Sequence, residues 1–110
     1  MEIKSKKIET FGIRFFVDEN GREIAHAYLY VLGNDLHERP FGFMEDLFVD
    51  ENSRGSGIGT NLLRRIIDEA RKQNCYKLIC TSRNENGKVH ELYEKTGFAR
   101  YGLEFRMDFS

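Results

Sequence analysis

The chain has 110 residues, 40% of them apolar and 13% aromatic, which is enough to bury one core and suits a single domain over residues 1–110. Lys and Arg number 17 against 18 Asp and Glu, so the net charge of −1 gives no electrostatic reason to expect binding to nucleic acid or to an anionic membrane. No apolar run is long enough to cross a bilayer, and the charged start MEIKSKKIET does not look like a secretory signal, so we expect a cytoplasmic protein.

Three strands are predicted in the first half of the chain. Apolar residues alternate over residues 11–17, residues 18–21 (DENG) are typical of a tight turn, and residues 23–32 follow as the second strand of a hairpin. A polar loop over residues 33–40 holds the only proline, and residues 41–49 are predicted to form the third strand.

The second half predicts two helices and two further strands. Apolar residues over 58–70 recur at helical spacing, and the short apolar run 76–81 is typical of a buried strand. Residues 86–96 predict a second helix that Gly97 ends, and alternation over 103–109 predicts a last strand. A strand, a helix and a strand in succession indicate a right-handed parallel crossover, so the expected fold class is α/β, a mixed and mostly antiparallel twisted sheet with helices on its faces.

Three glycines at alternate positions, Gly55, Gly57 and Gly59, run into the start of the first predicted helix. A dinucleotide-binding fingerprint would need glycine at Thr60, and a nucleotide P-loop would need a lysine after Gly59, so neither motif fits. Two interpretations remain open. The glycines either permit a sharp turn and close packing, or bare N–H groups at a helix N-terminus hold a phosphate.

The segment MEDLFVDENSRGSGIGTNLL, residues 44–63, resembles the acetyl-CoA-binding motif of the GCN5-related N-acetyltransferase (GNAT) superfamily, in which a strand and Arg/Gln-x-x-Gly-x-Gly/Ala lead into a helix. Residues 86–98, NGKVHELYEKTGF, are similar to a second motif of that family and follow in the same order. The resemblance covers about residues 10–109. It implies the GNAT fold and an enzyme that moves an acetyl group from acetyl-CoA to a primary amine, by direct transfer in a ternary complex.

One departure concerns the acceptor half of the site. Members of the family usually carry an extra N-terminal strand and one or two helices that wall this pocket, whereas about ten residues precede the first predicted strand here. The resemblance therefore leaves the acceptor half either open or completed by the second subunit of a homodimer. The alternative function is an acetyl-CoA-binding sensor or subunit with little activity of its own. A small interaction domain that binds no coenzyme is the third alternative.

The resemblance also implies which residues bind the coenzyme. The pyrophosphate is expected on the backbone N–H groups of residues 54–60, and the pantetheine arm beside the strand that ends at Phe48 and Val49, where the strands flanking the crossover splay apart. Asn86 is expected to hydrogen-bond the coenzyme, with a helix N-cap as the alternative role. The expected coenzyme-binding residues are Phe48, Val49, Arg54, Gly55, Ser56, Gly57, Ile58, Gly59, Thr60, Asn86 and Tyr93.

Catalysis requires a base and an acid. An alkylamine is mostly ammonium at pH 7, and its deprotonation costs roughly 4 kcal/mol, which a nearby carboxylate eases. Glu45 and Asp46 are adjacent on a predicted strand and should face opposite sides, and the resemblance favours Glu45, with Asp46, a water relay or a merely solvated carboxylate as alternatives. Tyr93 is the expected acid that protonates the departing sulfur, with packing of the helix on the sheet as its alternative role.

The cysteines, histidines and acidic residues bear on metal binding, on the base and on the acceptor. Cys75 and Cys80 match no zinc or disulfide pattern, and the three histidines are scattered over a strand, a loop and a helix, so no metal is expected. A histidine base at His26 or His37 stays an alternative. Four acidic residues are expected around the cleft and would suit a cationic small-molecule or peptide amine: Asp35, Glu38, Glu45 and Asp46.

Overall fold

The computed structural model describes residues 1–109, which form four strands and two helices after an irregular N-terminal stretch. The elements are β1 (Phe11–Glu19), β2 (Arg22–Leu32), β3 (Phe41–Val49), α1 (Ile58–Lys72), β4 (Leu78–Cys80) and α2 (Gly87–Thr96). Two compact units result, one over Met1–Cys80 and one from Thr81 on. Within residues 1–109, neither helix is long and apolar enough to span a bilayer.

The first unit is a sheet with the strand order β1-β2-β3-β4. Strands β1, β2 and β3 pair antiparallel, and β4 pairs parallel to β3 after the connection through α1. The hairpin turns at Asn20 and Gly21, as the sequence predicts. The prediction of a mixed, mostly antiparallel sheet with a parallel crossover partner is therefore confirmed, with strand bounds shifted by a few residues.

One face of the sheet forms the core together with α1. Alternate residues of β2 point to that face, because successive side chains of a strand lie on opposite sides. The apolar stripe of α1 packs against them, as its helical spacing predicts. The buried residues shared by these elements are Ala25, Ala27, Leu29, Val31, Met44, Leu62, Leu63, Ile66 and Ala70.

A buried carboxylate lies on the same helix. Glu69 is 7% exposed, and it accepts hydrogen bonds from Gln73 at 2.8 Å and from Arg65 at 3.0 Å. These bonds lower the pKa of Glu69, the one from Gln73 most, because they stabilise the ionised form. The charge is thus tolerated beside the core because both of its oxygens have partners.

The second unit confirms one predicted element and corrects another. Helix α2 ends at Gly97 (φ 115°), whose N–H bonds to the carbonyl of Glu94 at 3.2 Å. The predicted strand over residues 103–109 was wrong: the structure forms no strand there, and Leu103, Phe105, Met107 and Phe109 are 76–91% exposed. Alternation marks which residues would share a face, but a strand also needs a partner to hydrogen-bond, and this segment pairs with none in the described chain.

Replacing Leu63 by alanine should lower the free energy of unfolding by about 2–5 kcal/mol, because the side chain is fully buried between α1 and the sheet. Chemical denaturation followed by circular dichroism measures this change. Leu36→Ala is the matched control, since that leucine is 85% exposed and its loss should change stability by less than about 0.5 kcal/mol. Equal effects of the two substitutions would contradict the assignment of the core.

The stability of the protein should also depend on the ionisation of Glu69. Its pKa is lower in the folded than in the unfolded chain, so its contribution is present above the ordinary value of 4.5 and is lost as the pH falls through the folded value. Denaturation midpoints measured below pH 5 should therefore fall less steeply for Glu69→Gln than for the unaltered protein. An identical pH slope for both proteins would show that the hydrogen-bonded carboxylate makes no such contribution.

Candidate functional site

The loop that follows β3 is held against the end of that strand. Arg54 Nε donates to the carbonyl oxygen of Val49 at 3.0 Å, and Ser56 Oγ donates to the carbonyl of Ser53 at 2.8 Å. The amide of Asp50 donates to the carbonyl of Ile24 at 2.7 Å. These bonds turn the chain sharply, so that the glycine-containing segment starts α1 directly beyond the last residues of β3.

Two of the three glycines are required by backbone conformation. Gly55 (φ 84°) and Gly57 (φ 86°) lie in the left-handed region, which costs other residues roughly 1–2 kcal/mol. Gly57 is the N-cap of α1 and offers no side-chain cap, and the amide of Asn61 is the first to bond back, to the carbonyl of Gly57 at 3.0 Å. The amides of residues 58–60 therefore precede the helical ladder and carry the positive end of the helix dipole.

The third glycine, Gly59, does not lie in the left-handed region. It lies within α1, and a methyl group on it would sit 3.5 Å from Val49 Cγ2, which is an ordinary contact. Side chains on Gly55 or Gly57 would meet nothing within 4 Å. The turn explains the first two glycines, whereas close packing requires none of the three. Neither backbone conformation nor close packing explains Gly59, and ligand approach at this position stays a prediction.

Strand β3 has a partner on the β4 side along only part of its length. The parallel ladder joins Gly42–Met44 to Leu78–Cys80, whereas β3 continues to Val49. Within residues 1–109, the second half of β3 thus has no strand hydrogen-bonded to it on that side. Extended backbone of this kind can pair with an elongated ligand that carries amide groups.

A bulge corrects the expectation that Glu45 and Asp46 face opposite sides. Tyr28 lies opposite Glu45 and His26 lies opposite Phe48, so two residues of β3 stand against one residue of β2. Asp46 has φ 53°, a left-handed conformation that aspartate tolerates better than most residues. Regular alternation therefore ends at Glu45, and both carboxylates are exposed.

An open depression lies on the sheet face opposite the core, beside the bulge. Its lining residues are His26, Tyr28, Asp46, Leu47 and Phe48. The His26 ring stacks on Phe48 with centroids 5.3 Å apart and meets the edge of Tyr28 at 5.9 Å. Asp46, rather than Glu45, is the carboxylate of the pair that lines this depression.

A charged network that the sequence patterns do not predict borders the depression. Arg14 on β1 donates to Glu23 Oε2 at 2.7 Å and to the Tyr28 hydroxyl at 3.0 Å, and His26 Nδ1 lies 3.1 Å from the same Glu23 oxygen. The hydrogen bond from Arg14 lowers the pKa of Glu23 and raises that of Arg14 itself. The signal was present in the outward-facing positions of the two strands, where Arg14, His26 and Tyr28 alternate with the buried residues.

The remaining expected site residues lie in the second unit. Asn86 is the N-cap residue of α2, and its carbonyl accepts from the amide of His90 at 3.2 Å, but its side chain makes no capping hydrogen bond. Tyr93 is half-buried on α2, and its ring lies 5.6 Å from that of Phe98.

Two acidic residues expected near the cleft lie elsewhere. Asp35 and Glu38 belong to the loop before β3, whereas the glycine segment follows that strand, which is about 26 Å long. Asp35 pairs instead with Lys6 at 2.9 Å. Of the four acids only Asp46 lines the depression, so the structure does not gather all four around it.

The chain matches one known protein family over most of its length. The family described as Acetyltransferase (GNAT) matches residues 3–98, a range that contains the whole sheet, both helices and every expected site residue. The chain belongs to the GNAT family.

Individual acetyltransferases are similar to this chain in sequence and in structure. A glucosamine 6-phosphate N-acetyltransferase of Trypanosoma brucei brucei is 36% identical over 70 residues, which are 64% of this chain and 46% of that protein. N-alpha-acetyltransferase 30 of Homo sapiens is 34% identical over 74 residues, or 66% of this chain and 20% of that protein. This chain therefore spans less than half of either relative. The solved structure of a Trypanosoma brucei acetyltransferase has a TM-score of 0.79 and 30% identity, covering 91% of this chain and 69% of that one.

GNAT acetyltransferases use acetyl-CoA as co-substrate. Binding of acetyl-CoA can therefore be used to test whether the backbone at Gly59 faces a ligand. Gly59→Ala should stabilise the free protein by up to about 1 kcal/mol, because alanine favours a helix, yet weaken acetyl-CoA binding about tenfold by placing a methyl group on the ligand-facing backbone. Thermal unfolding and titration calorimetry measure the two effects separately. Gly33→Ala, in open space outside this loop, is the control. Unchanged affinity in Gly59→Ala would contradict the ligand interpretation.

Proposed function

We propose that residues 1–110 act as one GNAT domain that moves the acetyl group of acetyl-CoA to a primary amine, by direct transfer in a ternary complex. The observation that carries this proposal is the juxtaposition of bare amides at the start of α1 with the unpaired half of β3. Family membership and the acetyltransferase names of the relatives support the same activity.

The coenzyme is proposed to lie along the end of β3 and the start of α1. Its diphosphate would accept hydrogen bonds from the amides of residues 55–60, where the helix dipole favours negative charge. Its pantetheine arm would pair with the backbone near Phe48 and Val49, and Asn86 is the further residue proposed to hydrogen-bond the coenzyme. The backbone amide near Val49 is proposed to polarise the thioester carbonyl.

The acceptor is proposed to bind at the depression on the outer sheet face. The family resemblance places the general base at Glu45, but Asp46 is the carboxylate that lines the depression, so we assign Asp46 to bind the acceptor's ammonium group. The rings of Tyr28 and Phe48 offer further attraction for a cation. One relative is named for glucosamine 6-phosphate and another as an N-alpha-acetyltransferase, and both names indicate acetylation of an amino nitrogen such as this site would recognise.

The transfer step then follows from ordinary carbonyl chemistry. The neutral amine attacks the thioester carbon, a C–N bond forms, the C–S bond breaks, and the thiolate leaves with the electron pair. One N–H bond of the attacking nitrogen breaks and its proton passes to solvent, which leaves a neutral amide. Tyr93 is proposed to donate its hydroxyl proton to that sulfur and to regain a proton from solvent. A phenol has an ordinary pKa of about 10, so it is protonated at neutral pH and able to act as this acid.

Tyr93→Phe should lower kcat by about 100-fold or more with acetyl-CoA affinity retained, because only the acidic hydroxyl is removed. Thiol release, measured over a panel of glucosamine 6-phosphate, spermidine and a short peptide with a free N-terminus, reports the rate. Tyr101→Phe is the control, since that side chain is fully exposed.

Three outcomes are informative. Equal rates for Tyr93→Phe and the unaltered protein would remove Tyr93 from the mechanism. Binding of acetyl-CoA with no amine-dependent thiol release would favour a coenzyme-binding sensor or subunit. No binding at all would favour an interaction domain and reject the proposal.

A further inference from the structure

We propose that His26 is the general base of the acceptor site, and that its Nε2 removes the proton of the acceptor's ammonium group. The proposal rests on the acetyl transfer proposed above and specifies which group prepares the nucleophile. It replaces the carboxylate base implied by the family resemblance, because the structure places an oriented imidazole, rather than Glu45, in the lining of the depression.

The His26 ring is fixed on three sides. Phe48 stacks on it with centroids 5.3 Å apart, the edge of Tyr28 lies 5.9 Å away, and Nδ1 is 3.1 Å from Glu23 Oε2. An ionised carboxylate only accepts hydrogen bonds, so Nδ1 must be the protonated nitrogen of this pair. In the neutral ring Nε2 then carries the lone pair, which is the state that a base requires.

Arg14 keeps Glu23 in the ionised form that this tautomer needs. Its guanidinium donates to Glu23 at 2.7 Å while Nε donates to the Tyr28 hydroxyl at 3.0 Å, so one residue of β1 organises both neighbours of the imidazole. Arg14 and Glu23 are therefore positioning residues, which act on the reaction only through His26.

The titratable and charged groups around His26 come from all three neighbouring strands. They are Glu23 and Tyr28 on β2, Arg14 on β1, and Glu45 and Asp46 on β3. Three carboxylates against one guanidinium favour the binding of an ammonium group beside His26.

The proton transfer is balanced within the site. One N–H bond of the ammonium breaks and its electron pair stays on nitrogen, which becomes the nucleophile, while an Nε2–H bond forms. The resulting imidazolium faces the Glu23 carboxylate, and because the His26 side chain is 26% exposed, its proton can pass to water after acetyl transfer. An imidazole is suited to this role because its ordinary pKa lies near neutral pH.

The tautomer is tested directly by nitrogen-15 NMR of the free protein at about pH 8. We expect His26 to be protonated on Nδ1, and Glu23→Ala to shift it toward the Nε2-protonated form, whereas His37 and His90 serve as internal references in the same spectra. Protonation of His26 on Nε2 in the unaltered protein would overturn the proposal, since the lone pair would then face Glu23.

The catalytic role is tested by the pH dependence of kcat/KM for the fastest alkylamine of a panel containing spermidine and an N-blocked lysine peptide. Such amines have a pKa near 10, so they stay ammonium from about pH 5.5 to 8.5. The kcat/KM of the unaltered protein should rise with pH and then level off within this range, because His26 acts as a base only in its neutral form. For His26→Gln, kcat/KM should be about 100-fold lower at pH 7. It should also rise with pH over the whole range without levelling, because only the free amine would react.

His37→Gln is the matched control, since that exposed loop histidine contacts only Tyr76 among the ring contacts of residues 1–109, and it should keep the full profile. Acetyl-CoA affinity, measured by calorimetry, should be unchanged in His26→Gln and shows that the variant is folded. Identical pH profiles of kcat/KM for His26→Gln and the unaltered protein would overturn the role of His26 and leave the acetyl transfer untouched. A flat profile for the unaltered protein would have the same consequence. Absence of thiol release with every amine would instead reject the acetyl transfer itself.

Discussion

The packing of α1 on the inner face of the sheet is the interaction on which the rest of the structure depends. Leu63 and Ile66 of the helix and Leu29 and Met44 of the sheet are all fully buried, so the helix axis is held against β2 and β3 along its length. Because a short loop joins β3 to α1, this packing also determines where the helix begins. The amides of its first turn, which have no helical partner, are thereby presented beside the end of β3.

The two faces of the sheet have different roles. The inner face is apolar and holds the helix, whereas the outer face carries Arg14 opposite Tyr28, with His26 two residues before Tyr28 on β2. The bulge at Asp46 is where these two roles meet, because it ends the regular pairing of β3 and turns a carboxylate toward the aromatic depression. One strand thus contributes backbone to the proposed coenzyme site and a side chain to the proposed acceptor site.

The elements with a buried face could be predicted from the sequence. The stripe along α1 and the alternation in β1 and β2 are visible because burial dictates the period, and the glycine segment is visible because left-handed backbone leaves few other residues. The segment over residues 103–109 misled the prediction, since alternation does not reveal whether a partner strand exists. The bulge was hidden because its left-handed residue is an aspartate. The Arg14–Glu23–His26 network could not be found by spacing along one strand, because it depends on the register between two strands.

The central claim is that the amides at the start of α1 and the backbone at the end of β3 bind acetyl-CoA. An amide-resolved NMR titration of the nitrogen-15-labelled protein with acetyl-CoA tests it most directly. The account predicts saturable shifts that are largest at residues 45–49 and 55–60. Saturable shifts concentrated elsewhere in the chain, or no shifts at millimolar acetyl-CoA, would contradict it.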